Sequence, residues 1–158
     1  MRRILELHAM RTPRPAAALL LSLVSGASAS EAQPAGSYAV DTALQIPNVS
    51  GPSWQGTRVL CLGLGAEPGR LPIPVLSPNS PFGGCEARDL ERTATHLRYR
   101  IVCPGRDSAR ALASYELSAD GFRGEVAMLL GGKNMTLTEH QVGRRLGDCG
   151  AAAAAAMP

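Results

Sequence analysis

The chain has 158 residues, the length of one ordinary domain able to bury roughly two thirds of the surface its unfolded form exposes. Lysine and arginine number 16 against 13 acidic residues, a net charge of +3, far below the dense basic field of a dedicated nucleic-acid binder. With 45% apolar, 18% charged and 4% aromatic residues, the composition excludes intrinsic disorder and leaves little for base stacking or an aromatic ligand box. No run reaches the roughly 18 apolar residues of a membrane span.

The N-terminus reads as an export signal. Arg11 and Arg14 precede an apolar core at residues 16–24, and Ala27-Ser28-Ala29 supplies an A-x-A site. These are the three parts of a secretory signal peptide, so residues 1–29 are expected to be removed after Ala29, with Ala32 as the fallback site. Glu6 and His8 interrupt the cationic region, which makes Met10 an alternative start. The core is about half the length that crosses a bilayer, which argues against a retained anchor. The cleavage site is followed by no cysteine that could take a lipid. The expected location is periplasmic or secreted. Cleavage removes Arg2, Arg3, Arg11, Arg14 and Glu6, leaving a mature chain of 129 residues with 12 basic and 12 acidic side chains. The apparent basicity belongs to the export signal, and with it goes the electrostatic case for nucleic acid or an anionic membrane as partner.

Cys61, Cys85, Cys103 and Cys149 all survive cleavage, and an even number in an exported chain points to disulfides, with three pairings possible. Zinc ligands come in closely spaced pairs such as C-x-x-C, whereas the nearest two cysteines here are 18 apart, so no metal is expected. Without C-x-x-C-H or C-x-x-C, neither covalent haem nor a redox-active pair is indicated. The segment from Cys85 to Cys103 is symmetrical about Ala94, and a hairpin turning there sets the two sulfurs opposite each other. Leu97, Tyr99, Ile101 and Cys103 alternate with Arg98, Arg100 and Val102, the period-two signature of a strand with one buried face. Ala87 then shares the inner face with Ile101. That register opposes Arg88 to Arg100, whereas a one-residue slip pairs Asp89 with Arg100 and Glu91 with Arg98. A bulge between the turn and the cysteines satisfies both. By elimination Cys61 joins Cys149. On the chain-entropy account, each bridge stabilises the fold by ~3 to 4.5 kcal/mol.

Along the mature chain, Tyr38, Val40, Thr42, Leu44 and Ile46 share one side of a strand that Pro47 ends. Residues 57–62 read as a second strand after the break Gly51-Pro52-Ser53. Residues 63–84 hold five prolines and five glycines and form a loop longer than usual connections, expected to be a functional lid or a covering segment. After the hairpin come a strand at 109–118, the turn Ala119-Asp120-Gly121, a strand at 122–130, a turn at 131–134 and a last strand at 135–146. The tail at 151–158 is alanine-rich and reads as disordered. Seven strands with short connections predict an all-β fold, an antiparallel meander that forms a small barrel or a strongly curved sheet stapled by disulfides. Residues 30–150 make the single domain.

These landmarks resemble the bacterial exported protein family of domain of unknown function 3617. The matching residues are Gly36-Ser37-Tyr38-Ala39-Val40, Val59-Leu60-Cys61, Cys85, Cys103, Met135-Thr136 and Arg145-Leu146-Gly147-Asp148-Cys149, spread over nearly the whole mature chain. The family usually shows tryptophan where Tyr38 stands, and the proline-rich loop differs from the polar segment expected there. The resemblance implies export, β architecture and a cysteine frame; it implies no activity.

Candidate chemistry is sparse. No motif sets His96 or His140 beside a nucleophile, and both read as solvated surface residues. Asp120 is a turn residue. Gly63-Leu64-Gly65 and Gly131-Gly132 lack the strand-to-helix setting of a phosphate cradle. Asn48-Val49-Ser50 and Asn134-Met135-Thr136 are glycosylation sequons, of little meaning in a bacterium. Trp54 is expected in a loop, packed against the core. Leu97, Tyr99, Ile101, Tyr115, Leu117, Val126, Met128 and Leu130 are expected to form an inner face, either a filled core or a pocket. The expectation is a non-enzymatic β domain that takes no cofactor. Its partner is an envelope protein met at an exposed patch or open sheet edge, or else a small apolar ligand.

Overall fold

The computed structural model describes residues 35–63, 68–105, 109–131 and 135–150. The expected signal peptide with Ala29 and Ala32, Gly65, Gly132, the asparagine of the second sequon and the alanine-rich tail lie outside them. The strands are β1 (Gly36–Gln45), β2 (Trp54–Leu62), β3 (Glu86–Arg92), β4 (His96–Val102), β5 (Arg110–Ser118), β6 (Gly121–Leu130) and β7 (Met135–Gly147). All pair antiparallel in one sheet of order β2-β1-β7-β6-β5-β4-β3, and the described residues include no helix. Of the two forms anticipated, the barrel is not the one adopted, because β2 and β3 stand at opposite edges of an open sheet. These two edge strands are consecutive in sequence, so the segment joining them must run from one side of the sheet to the other. Crossing six strand spacings of ~4.8 Å means covering about 29 Å. That is why the proline-rich loop is long. Its residues 68–84 lie as a strap over the apolar face, where a barrel would have enclosed its interior.

Strict alternation sets which face the strap covers. In β5, Ala111, Ala113, Tyr115 and Leu117 are buried while the residues between them are exposed. Leu97, Tyr99 and Ile101 of β4, Val126 and Met128 of β6, and Tyr38 and Val40 of β1 join them. From the strap come Ile73, Leu76 and Phe82, all nearly inaccessible.

A row of rings crosses this face. Tyr38 and Phe122 lie 5.8 Å apart, Phe122 and Tyr115 5.7 Å in an edge-on pair, and Tyr115 and Tyr99 6.2 Å, spacings at which aromatic pairs attract beyond their burial. Glycines make room for the row. A Cβ at Gly143 would come within 2.1 Å of the Phe122 ring, and one at Gly124 within 2.5 Å of Tyr115.

The β3–β4 hairpin combines the two registers read from its sequence. Arg88 faces Arg100 on the cysteine side, Glu91 faces Arg98 on the turn side, and the register shifts between them. Asp89 sits in the bulge with φ +50° and pairs with Arg100, while Arg88 turns to Glu86 at 2.5 Å, so the opposed arginines are both neutralised. Cys85 bonds to Cys103 and Cys61 to Cys149.

Two expectations shift. Strand β2 starts at Trp54 rather than Thr57, so Trp54 belongs to a strand and not a loop, with its ring folded over Gly56. The β5–β6 turn is tighter than anticipated, since Ser118 pairs with Gly121. Gly121 is required there by close approach, because a Cβ would meet the Gly143 carbonyl oxygen at 2.0 Å.

Replacing Gly143 by alanine forces the Phe122 ring out of the row. A loss of ~2 to 3 kcal/mol is expected in urea unfolding, and a change under about 0.5 kcal/mol would contradict the packing described.

Candidate functional site

The densest polar constellation lies under the strap, on the inward positions of β7. Alternation points Leu137, Glu139, Gln141 and Gly143 toward the core, and two of these four are polar. Glu139 is 0% exposed, a costly place for a carboxylate unless hydrogen bonds compensate. They do. The backbone N–H of Leu76 donates to its Oε1 at 2.8 Å and that of Ser77 to its Oε2 at 2.9 Å. The Gln141 amide donates to Oε1 at 2.5 Å and to the Pro74 carbonyl at 2.9 Å. Tyr115 donates to Gln141 Oε1 at 3.1 Å, and Tyr99 to the Ile73 carbonyl at 2.6 Å.

Side chains of β4 and β7 thus read the main chain of the strap at Ile73, Pro74, Leu76 and Ser77. Pro72 and Pro74 suit this position because proline has no N–H to leave unsatisfied under a sheet face. Burial, above all, pushes the Tyr99 phenol far above its ordinary value near 10, and the Glu139 carboxylate adds to the rise. The Tyr115 phenol is raised as well, by burial first and by the neighbouring Tyr99 next. This is the chemistry of a clamp. Its polar atoms are engaged by the strap and by one another.

On the opposite face the alternate residues of β4 and β5 are exposed. A shallow depression of about 460 Å³ there is bordered by His96, Ser114, Glu116, Arg123, Glu125 and His140. The two histidines read from sequence share this trough without converging, since β4 and β7 are three strand spacings apart, ~14 Å. His96 Nδ1 lies 2.8 Å from the Thr95 hydroxyl, His140 Nε2 lies 3.3 Å from Gln45 Oε1, and His140 Nδ1 lies 3.7 Å from Glu125. Arg123 holds Glu116 at 2.6 Å. The side chains of the His140–Glu125 and Arg123–Glu116 pairs are 47% to 74% exposed, where such contacts hold little energy. Among the described residues no group of three or more His, Cys, Asp or Glu is placed to hold a metal ion. Asp120 lies in the β5–β6 turn, and its carbonyl accepts the Arg145 N–H at 2.8 Å. Asn48 sits in the exposed β1–β2 turn with φ +63°.

Sequence reading did not single out Glu139 or connect it to the strap. The available signal was the break in alternation, two polar residues at core positions of β7. The chain matches no family model, no curated protein and no solved structure.

Two outcomes follow from the clamp. Glu139→Ala orphans the Leu76 and Ser77 N–H groups and the Gln141 amide, so a loss of ~2 to 5 kcal/mol is expected in urea unfolding, with amide exchange at 76 and 77 accelerating most. Because the buried tyrosines keep their protons when folded and lose them when unfolded, their stabilisation is complete below pH 10 and falls as pH rises above it. The expected slope is ~1.4 kcal/mol per pH unit per tyrosine. Urea midpoints between pH 8 and 11 measure it, and Tyr115→Phe should remove about half.

Proposed function

We propose that this protein is an exported, disulfide-stapled β domain without enzymatic activity that binds or scaffolds in the bacterial envelope, in the periplasm or outside the cell. The observation that carries the reading is the open edge of β2. Its nine residues begin at Trp54, and among the described residues no strand pairs with its outer side. An edge of this kind presents a row of backbone donors and acceptors, which a second extended chain satisfies. The export features of residues 11–29 and the two disulfides agree with an oxidising compartment. The non-enzymatic part of this reading draws on two histidines set on distant strands.

The second reading, a carrier of a small apolar ligand, needs room against the apolar face. Ile73, Leu76 and Phe82 of the strap occupy that place. The open edge therefore favours a polypeptide partner over an apolar small molecule.

Native mass spectrometry of the protein purified from its own envelope discriminates the two. A retained polypeptide is expected. A retained small apolar molecule would transfer the assignment to the carrier.

A further inference from the structure

The sheet ends in two edges built in opposite ways. Strand β3 carries charges at five of its seven positions, Glu86, Arg88, Asp89, Glu91 and Arg92. Its register breaks between Arg88 and Glu91, Asp89 has φ +50°, and the strap returns along it, with the Ala87 N–H donating to the Gly69 carbonyl at 3.1 Å. Bulge, charge and cover are the devices by which natural sheets block edge pairing. Strand β2 has no bulge and, among the described residues, no cover. Its register with β1 runs unbroken from Gly36↔Leu62 to Leu44↔Trp54, it contains no proline, and Arg58 is its one charge. Val59, near its centre, is 58% exposed.

An open edge pairs with another open edge, and this chain offers one. Head-to-tail growth would need β3, which is blocked, so self-association through β2 closes at two copies about a two-fold axis. Resting on the strand-edge reading above, we propose that β2 is a dimer interface, pairing antiparallel with β2 of a second copy to join two seven-stranded sheets into one. Charge selects among the two-fold registers. Centring on Arg58 would oppose two guanidinium groups, a destabilising pair. Centring on Val59 sets Val59 against Val59, Thr57 against Cys61 and Arg58 against Leu60, so no like charges meet and the exposed valines bury each other. The contact is ~25 Å long and ~10 Å deep, about 250 Å² per copy, against the ~800 Å² per partner of a stable complex. The dimer is accordingly weak and reversible.

Sedimentation equilibrium of the mature chain with both disulfides intact, from ~10 µM to ~1 mM, tests it. A monomer–dimer equilibrium is expected, with slower amide exchange along β2 at high concentration. Val59→Lys, an exposed position that leaves the core untouched, should weaken it at least tenfold, while Leu90→Lys on β3 should change nothing. A monomer throughout the range, or a dimer indifferent to Val59→Lys, overturns the proposal. If the monomer still retains a different polypeptide in native mass spectra, the dimer alone falls and the strand-edge reading stands; if it retains none, both fall.

Discussion

A sheet whose two edge strands are consecutive in sequence requires a connection that spans the whole sheet. In this protein that connection is the proline-rich strap, and most of the architecture follows from where it runs. It cannot loop through solvent and leave the apolar face wet, because Tyr38, Tyr99, Tyr115, Phe122 and Val126 together present far too much surface to water. Lying on that face, it must satisfy its own backbone out of reach of solvent. Prolines reduce the number of donors, and Glu139, Gln141 and Tyr99 supply partners for groups between residues 73 and 77.

The disulfides belong to the same arrangement. Cys61 lies one residue before the end of β2, where the strap departs, and Cys85 lies one residue before β3, where it arrives. Their partners, Cys149 beyond β7 and Cys103 beyond β4, belong to other parts of the sheet. Both ends of the strap are therefore tied covalently while its middle is tied by hydrogen bonds. An open sheet held in this way buries the centre of one face, and among the described residues it leaves the other face and the outer edge of β2 uncovered. That asymmetry directs attention to β2 rather than to the shallow trough between the histidines.

Much of this was legible in residue order. Alternation located the strands to within a few residues and named the inward side chains of β4, β5 and β6. The conflict between Arg88↔Arg100 and Glu91↔Arg98 called for a bulge, and Asp89 occupies it. The symmetry of the segment around Ala94 set Cys85 against Cys103. Less legible were Trp54, which a Gly-Pro-Ser break made look like a loop residue, and Glu139, whose burial depends on a segment more than sixty residues away in sequence. Local pattern carries no information about which distant backbone will supply the donors for a buried carboxylate.

What sequence alone determined is the set of local facts: two-residue periodicity, turn chemistry, the four cysteines and the length of the loop. These follow from interactions between residues near one another in the chain. Whether the meander closes or stays open was decided only in three dimensions, by the pairing of β1 with β7. That pairing joins the start of the sheet to its end and sends β2 and β3 to opposite sides. Once they are there, the loop must cross the apolar face and fill it, and the space of a barrel interior becomes the core of an open sheet.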